Sequence, residues 1–289
     1  MPTHHNRNLN NLSSVEFINS FSIWVILGTP LNYLFFSELF QSGFHIPTAI
    51  VLTLAVWIIY TLDHIIDGFK RKEYSLSLRY YLHHRYHRFL LALITIASLV
   101  AAAISYASLP VSTQKFGFIL LSALVLYFII NRVFTQNRKH SLPFKEIGVA
   151  LVVTLCFAYI PWSKSDSIHA DSLVYIIYGY GAINLANLLL FSHFDFELDK
   201  RNGLSSLGKF VGKNGLKWMS VVFALAAIVI CTYVYVQYLI PFSAWLILIA
   251  MSLQLVLIVV FNRFFKKNEL YRFFGDLIYV YPIVYFLLL

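Results

Sequence analysis

The chain has 289 residues, of which 59% are hydrophobic and 12% are charged. This excludes an ordinary soluble domain, in which about a quarter of the residues are charged. The 22 Lys and Arg residues exceed the 13 Asp and Glu residues, giving a formal net charge of +9. In such an apolar chain we expect this excess to reflect membrane topology and not nucleic-acid binding. The sequence therefore predicts a polytopic membrane protein.

Apolar runs of about 20 residues, the length that crosses a bilayer, predict nine membrane-spanning helices. In chain order they are Phe17 to about Leu39, Pro47–Asp67, Phe89 to about Ala107, a helix between Lys115 and Arg132, one between Glu146 and Trp162, Leu173–Asp195, two helices between Lys217 and Arg263 that separate near Tyr238–Pro241, and Tyr271–Leu289. The first apolar run lacks a small-residue cleavage site and is too long for a removable signal peptide. The chain is therefore divided into a polar tail, residues 1–16, and one transmembrane domain, residues 17–289.

The distribution of Lys and Arg predicts the orientation of these helices. Twenty of the 22 cations lie in the tail or in the loops after the second, fourth, sixth and eighth spans, which leaves Lys115 and Lys164 on the opposite side. Because cationic loops are retained on the cytoplasmic side, the amino terminus is predicted to be cytoplasmic. In a bacterial cell the protein would lie in the inner membrane.

Two pairs of carboxylates end the second and sixth spans. Asp63 and Asp67 form the first pair, Asp195 and Asp199 form the second, and basic residues follow each pair. Residues at i and i+4 lie on one face of a helix, so each pair can direct both carboxylates at one object. The second pair follows the first by 132 positions, which makes four helices and an Asp pair a unit that occurs twice.

Four carboxylates on neighbouring helix ends would repel one another unless a cation lay between them. Oxygen ligands suit Mg2+, which commonly binds through one or two carboxylates together with substrate phosphates. The pattern therefore predicts a diphosphate held by Mg2+, with its lipid tail among some of the 26 Phe and 19 Tyr residues. For either pair alone, a solvated helix end is the alternative interpretation.

The second pair lies in a longer motif. Asp195-x-x-x-Asp199 is followed by Gly203-x-x-Ser206-Leu207 and then by Gly212. This run resembles the second motif of the UbiA superfamily of intramembrane prenyltransferases, in which two Asp motifs bind a prenyl diphosphate through Mg2+.

The first motif is a partial match. Its last two carboxylates resemble Asp63 and Asp67, but Ile59 stands where the family has Asn and Tyr60 where it has its leading Asp. Phe191 likewise replaces a further Asp found in many members before the second motif. After the fourth span, Tyr127-x-x-x-x-Arg132 resembles the Tyr and Arg that approach the diphosphate in the family.

The resemblance implies an all-α bundle of nine transmembrane helices around a central cavity that opens to the cytoplasm. It implies a prenyltransferase that moves an isoprenyl group from a prenyl diphosphate to an apolar or aromatic acceptor, with Mg2+ as cofactor and membrane lipid as surroundings. The implied catalytic and metal-binding residues are Asp63, Asp67, Asp195 and Asp199. The resemblance implies Tyr127 and Arg132 as substrate-binding residues. Asn187, a polar residue within the sixth span, and Arg79 and Lys200, chosen by position only, complete the predicted substrate-binding set.

Other interpretations remain open. A non-catalytic or transport protein on the same bundle is favoured by the incomplete first motif. His83 and His87 form an HxxxH pair of the kind found in di-iron enzymes, but such enzymes need several more histidine boxes, so a basic cap or a solvated turn is preferred. Glu146 and Asp276 are expected to form structural pairs.

Overall fold

The computed structural model describes residues 14–70, 78–136, 145–165, 170–202, 207–237 and 239–287, and all regular secondary structure in these ranges is helical. The α-helices are α1 (Ser14–Ser20), α2 (Ile23–Leu39), α3 (Ile46–Lys70), α4 (Leu78–Arg85), α5 (His87–Ser108), α6 (Val111–Gln136), α7 (Lys145–Ser163), α8 (Ala170–Asn202), α9 (Gly208–Val236), α10 (Phe242–Val260), α11 (Asn262–Phe265), α12 (Leu270–Leu277) and α13 (Pro282–Leu287). Two 3-10 turns, Lys267–Glu269 and Ile278–Val280, flank α12. The predicted all-α class is confirmed.

Six helices in the described ranges are long and apolar enough to cross a membrane. They are Ile46–Phe69, His87–Ser108, Glu146–Ser163, Leu173–Arg201, Gly208–Val236 and Phe242–Val260. Two shorter apolar helices, Ile23–Leu39 and Val111–Leu126, accompany them. Large apolar side chains such as Leu99, Phe118 and Val229 face outward from the bundle. An apolar exterior of this extent fits lipid and not water, so the protein is an integral membrane protein.

Helix α8 lies at the centre of the bundle. Its apolar window is 61% buried inside the protein, whereas that of α5 is 11% buried and faces outward. α8 packs against α7, α9, α10 and α12. The second Asp pair is therefore carried by the helix that contacts the most of the core.

The first predicted span and the ninth are both interrupted. Ser22 adopts a left-handed backbone conformation, with φ of +51°, and separates α1 from α2. In the last segment Pro282 has no backbone N–H to donate to the carbonyl of Ile278. That carbonyl accepts from Tyr281 N at 3.1 Å, and the chain forms the 3-10 turn Ile278–Val280 between α12 and α13. Apolar length alone does not reveal such breaks.

A buried asparagine joins the broken last segment to α2 by hydrogen bonds. The Nδ2 group of Asn32 donates to the carbonyls of Gly28 and Tyr279, each at 2.7 Å, and its Oδ1 accepts from the hydroxyl of Tyr180 at 2.6 Å. Asn32 is fully buried. The 3-10 turn leaves the carbonyl of Tyr279 to a side-chain donor, and Asn32 provides it.

A glycine permits this contact. A Cβ atom placed at Gly28 would lie 2.4 Å from Cβ of Tyr279 and 2.6 Å from its carbonyl oxygen. Any larger residue at position 28 would push the last segment away from α2. The close approach of these two elements therefore depends on Gly28.

The glycine that follows the second Asp motif also has a structural role. Gly212 has φ of +72° and interrupts the helical geometry of α9 one turn after it begins. This φ lies in the region that favours glycine. Residues 203–206 of the motif lie outside the described residues.

Candidate functional site

The first Asp pair lies where α3 meets α4, a helix that the apolar pattern does not predict. Asp67 is buried and Asp63 is half-buried, and both have polar or charged interactions. A Cβ atom at Gly68 would lie 3.0 Å from the carbonyl oxygen of Tyr80. The backbones of α3 and α4 thus approach closely beside this pair.

Helix α4 brings Arg79 into the interior. Its Nη1 donates to Nε2 of His64 at 3.3 Å, and the guanidinium lies 5.3 Å from the ring centroid of Tyr80. Arginine has no acceptor, so Nε2 of His64 accepts in this contact. Arg79 is only 8% exposed, and its Nε has no hydrogen-bond partner among the described residues. A positive charge is therefore buried beside the first Asp pair.

His83 stabilises this arrangement. Its Nδ1 donates to the carbonyl of Arg79 at 2.9 Å, and its ring stands edge-on to that of His64 at 5.0 Å between centroids. Burial, reinforced by the nearby charge of Arg79, lowers the pKa of His83 to about 4. His83 is therefore neutral at physiological pH and acts as a packed hydrogen-bond donor, which favours a structural role over the basic cap or metal ligand considered above.

Asp195 of the second Asp pair meets a cation from the last helical segment. Oδ2 of Asp195 accepts from Nη2 of Arg272, and Oδ1 accepts from the hydroxyl of Tyr271 at 2.6 Å. Nε of Arg272 donates to the Tyr271 hydroxyl at 3.1 Å and lies 3.2 Å from Oε2 of Glu269. The side chain of Arg272 is 3% exposed and that of Asp195 is 15% exposed. This is a buried, charge-assisted network between α8 and α12.

Aromatic packing aligns the two helices at this point. The rings of Phe194 and Tyr271 are stacked, with 4.3 Å between centroids and 12° between planes. The guanidinium of Arg272 lies 6.0 Å from the ring centroid of Phe191, the residue that stands where many members of the UbiA superfamily have an Asp. A Cβ atom at Gly275 would lie 2.5 Å from that ring. Phe191 therefore contacts the cation and the helix that carries it.

The two arginines belong to one polar cluster. Arg79 and Arg272 both lie within electrostatic range of Asp276, a buried residue of α12. Tyr60, which replaces the leading Asp of the first motif, lies within range of Asp276, Arg79 and Tyr279. The cluster thus joins the ends of α3 and α4 to the last helical segment across the bundle.

Asn187 extends this cluster along α8. It is 1% exposed, its Oδ1 has no hydrogen-bond partner among the described residues, and its side chain interacts with the hydroxyl of Tyr279. The hydroxyl of Tyr180 lies near those of Tyr60 and Tyr279. A row of phenols and an amide therefore leads from the charged cluster into the apolar core.

A metal ion shared between the two Asp pairs fits the described donors poorly. Among the described side chains no group of three or more His, Cys, Asp or Glu residues is arranged to hold a metal ion. Both oxygens of Asp195 already accept protein hydrogen bonds, one from the hydroxyl of Tyr271 and one from the guanidinium of Arg272.

Comparison with known proteins agrees with the helical architecture. No protein-family model and no curated protein matches the sequence. Among solved structures, the chain is similar to the apo structure of a UbiA homolog from Aeropyrum pernix K1, with a TM-score of 0.67 and 15% sequence identity, over 96% of this chain and 99% of that one. The chain has the fold of a UbiA homolog. The resemblance predicted from the Asp motifs is thereby confirmed at the level of the fold.

Within the UbiA fold, the residues predicted to bind substrate have different surroundings. Arg79 and Asn187 are buried in the polar cluster, whereas Lys200 is exposed at the end of α8. The backbones of Tyr127 and Arg132 belong to α6, but their side chains lie outside the part of the chain that the structure describes. The predictions for these two residues stay predictions.

Arg272, Tyr271 and Asp276 were not predicted as site residues. Arg272 was counted as one more loop cation after the eighth span, and the structure buries it. A signal was present, because the pattern Tyr271-Arg272-x-x-x-Asp276 places an acid i+4 from an arginine at the start of an apolar segment.

Glu146 forms the structural pair expected of it, although with neutral partners. Its Oε1 accepts from the hydroxyl of Ser192 at 2.8 Å, and both carboxylate oxygens lie within 3.4 Å of the backbone nitrogen of Leu207. Glu146 therefore joins α7 to α8 and to the start of α9, beside the second Asp pair.

Proposed function

We propose that this chain is an intramembrane prenyltransferase, which transfers an isoprenyl group from a prenyl diphosphate to an apolar or aromatic acceptor. The observation that supports this best is the UbiA fold shared over 96% of the chain. Nine spans, a cytoplasmic amino terminus, a single transmembrane domain over residues 17–289 and a location in the inner membrane of a bacterium belong to the same proposal.

The polar cluster supplies the groups that the reaction needs. The cations of Arg79 and Arg272 lie at the ends of the helices, and the phenols of Tyr60, Tyr180 and Tyr279 lie deeper in the bundle. Breaking the carbon–oxygen bond leaves charge on the diphosphate, which buried guanidinium groups stabilise. The faces of aromatic rings stabilise the developing allylic cation. The acceptor then attacks the cationic carbon and loses a proton.

Mg2+ bound by Asp63, Asp67, Asp195 and Asp199 remains a prediction from the sequence. A bound Mg2+ would add positive charge at the diphosphate oxygens. Because the described donors fit a shared ion poorly, no step of the reaction is assigned to the metal.

A transfer assay tests the proposal directly. Purified protein in lipid nanodiscs is incubated with radiolabelled prenyl diphosphates of several lengths, an extract of lipophilic acceptors and Mg2+. Product formation that falls at least tenfold in the Asp63→Asn/Asp67→Asn variant supports the proposal. Glu197→Gln is the matched control, because Glu197 lies on α8 between the residues of the second pair but is exposed. Absence of product with every donor, or equal turnover in the double variant, contradicts it.

A non-catalytic lipid-binding or transport protein is the second candidate. It is favoured by the ion pair of Asp195 and Arg272, because Asp195, a predicted metal ligand, is paired with a cation of the protein itself. This candidate predicts that lipid diphosphate binds and is recovered unchanged. Mass spectrometry of the bound lipid after incubation distinguishes the two candidates, because an enzyme releases diphosphate and a carrier does not.

A further inference from the structure

The contacts of Asp195 are those of a residue that positions α12, and not those of a metal ligand. Each of its carboxylate oxygens accepts a hydrogen bond from a donor on α12, one from Tyr271 and one from Arg272. The two donors are adjacent in sequence, and the ring of Tyr271 is fixed by stacking on Phe194. This geometry fixes the position of the Arg272 guanidinium relative to α8.

Arg272 retains donors beyond those that anchor it. The pair with Asp195 uses Nη2, and the contacts with Tyr271 and Glu269 use Nε, while Nη1 donates to no residue in the described ranges. A guanidinium has five N–H donors in a planar fork that suits phosphate oxygens. The remaining edge of Arg272 is therefore available for an anion.

Arg79 supplies a second observation that points to an anionic ligand. This residue is more than nine-tenths buried, and its Nε has no acceptor among the described residues. Buried charged donors without acceptors are rare in stable proteins unless a ligand completes them. Arg79 and Arg272 come from opposite ends of the chain, yet both lie within electrostatic range of Asp276.

Two departures from the UbiA Asp motifs also favour binding of an anion over binding of a cation. Tyr60 and Phe191 are neutral residues at positions where the UbiA motifs have Asp. Phe191 also contacts the Arg272 guanidinium. Losing two acids weakens cation binding at the helix ends, and burying two guanidinium groups there strengthens anion binding.

We propose that the guanidinium groups of Arg272 and Arg79 bind the diphosphate group of the substrate directly, and that Asp195 is a positioning residue that holds Arg272 in the place of a metal ion. This inference deepens the proposed function and rests on it for the identity of the ligand. It assigns to a side chain of the last helical segment the positive charge that a metal ion at Asp195 would supply.

Binding of inorganic pyrophosphate to the full-length protein in nanodiscs, measured by calorimetry in EDTA at physiological salt, tests this assignment. We expect the wild-type protein to bind without divalent ions, and Arg272→Gln and Arg79→Gln each to weaken binding at least tenfold. Arg263→Gln is the matched control, because Arg263 is exposed on nearby α11 and its loss changes the net charge equally. Binding that strictly requires Mg2+, or that is unchanged in either variant, overturns the proposal.

Two further variants separate binding from folding. Asp195→Asn/Arg272→Gln removes both charges of the pair, so it leaves no uncompensated buried charge and should still lose pyrophosphate binding. Arg272→Lys keeps the charge without the fork, and we expect it to restore part of the affinity. A double variant that folds and binds pyrophosphate like the wild type overturns the proposal.

Electron paramagnetic resonance of bound Mn2+ examines Asp195 independently of turnover. If Asp195 is a positioning residue, Asp195→Asn leaves the number of bound Mn2+ ions unchanged. Loss of a bound ion in this variant overturns the assignment. A protein that binds pyrophosphate through Arg272 but forms no product would refute the enzymatic function and leave the binding site in place.

Discussion

Asp195 of α8 and Arg272 of α12, 77 residues apart in the chain, form a buried ion pair at the end of the central helix. The carboxylate comes from the motif that most resembles a metal-binding pattern in the sequence. Its partner comes from the last helical segment, which carries no such motif. Asp195, which was predicted to bind a metal ion, therefore pairs with the guanidinium of Arg272.

Breaking this pair is expected to destabilise the protein strongly. Asp195→Asn or Arg272→Gln alone leaves a buried charge without the partner it has in this pair, and breaking a buried pair costs about 3–5 kcal/mol. The double variant removes both charges and is expected to lose less than the sum of the single variants. Thermal unfolding in detergent, arranged as a double-mutant cycle, measures the coupling. Additive effects would show that the two residues do not interact.

The contact of Gly28 with Tyr279 predicts a position-specific effect of an added methyl group. Gly28→Ala places a Cβ atom 2.4 Å from that of Tyr279, and such overpacking costs about 1–3 kcal/mol. The same change at Gly148, where a Cβ atom would meet nothing within 4 Å, should be neutral or stabilise α7 by up to about 1 kcal/mol. Equal melting temperatures for the two variants would argue against the close approach of α2 and the last segment.

The hydrogen bonds of Asn32 predict that substitutions at Asn32 and Tyr180 have non-additive effects on stability. Tyr180→Phe removes the donor to Oδ1 of Asn32, and Asn32→Ala removes that acceptor together with the donor to the carbonyl of Tyr279. A buried polar group left without its partner costs about 1–3 kcal/mol. Each single variant should unfold at a lower temperature than wild type, and the double variant should lose little beyond Asn32→Ala. A further full loss in the double variant would contradict the hydrogen bond.

His83 predicts a loss of stability in mild acid. Its pKa is about 4 in the folded protein, against an ordinary value of 6.5. Between these values the unfolded chain binds more protons, so stability falls as the pH is lowered from about 6.5 towards 4. The full effect is about 3 kcal/mol. His83→Asn should flatten the dependence of the melting temperature on pH, and His87→Asn, on the next helix, is the control. An unchanged slope in His83→Asn would exclude this cause.

Removal of divalent ions is expected to separate catalysis from binding. The sequence predicts that prenyl transfer needs Mg2+, so EDTA should lower transfer at least tenfold and added Mg2+ should restore it. Pyrophosphate binding should persist in EDTA, because the guanidinium groups of Arg79 and Arg272 are permanently charged. Full transfer in EDTA would remove the predicted cofactor.

Several features of the fold could be predicted from single residues and their spacing. Uninterrupted apolar runs predicted where the long helices lie, because a bilayer requires about 20 apolar residues per span. Their ends were less accurate, since α8 continues past Asp195 to Asn202 and α9 begins at Gly208, before Lys217. The break between α9 and α10 was predicted near Pro241, a residue that cannot continue a helix. The break at Ser22 was missed, because nothing in its apolar surroundings indicates a left-handed residue. The break before Pro282 was also missed, although Pro282, like Pro241, lacks a backbone N–H.

The site could be predicted in part. Arg79 was selected by position, and its burial depends on α4, a short helix of mixed polarity without an apolar signature. Arg272 resembled the other loop cations. The one local signal, the acid Asp276 four residues later, does not show that the guanidinium pairs with a carboxylate 77 residues away.

By itself, the sequence determined that this protein lies in a membrane, that it is helical and that acids are paired at the ends of two spans, since hydropathy and i,i+4 spacing are local properties. The tertiary structure decided which charges meet. A buried charge is stable only beside a partner of opposite sign, and the packing of α12 against α8 and α2 selects that partner. Asp195 therefore faces a guanidinium because Gly28 and Gly275 let the last helical segment approach closely enough to bring Arg272 to it.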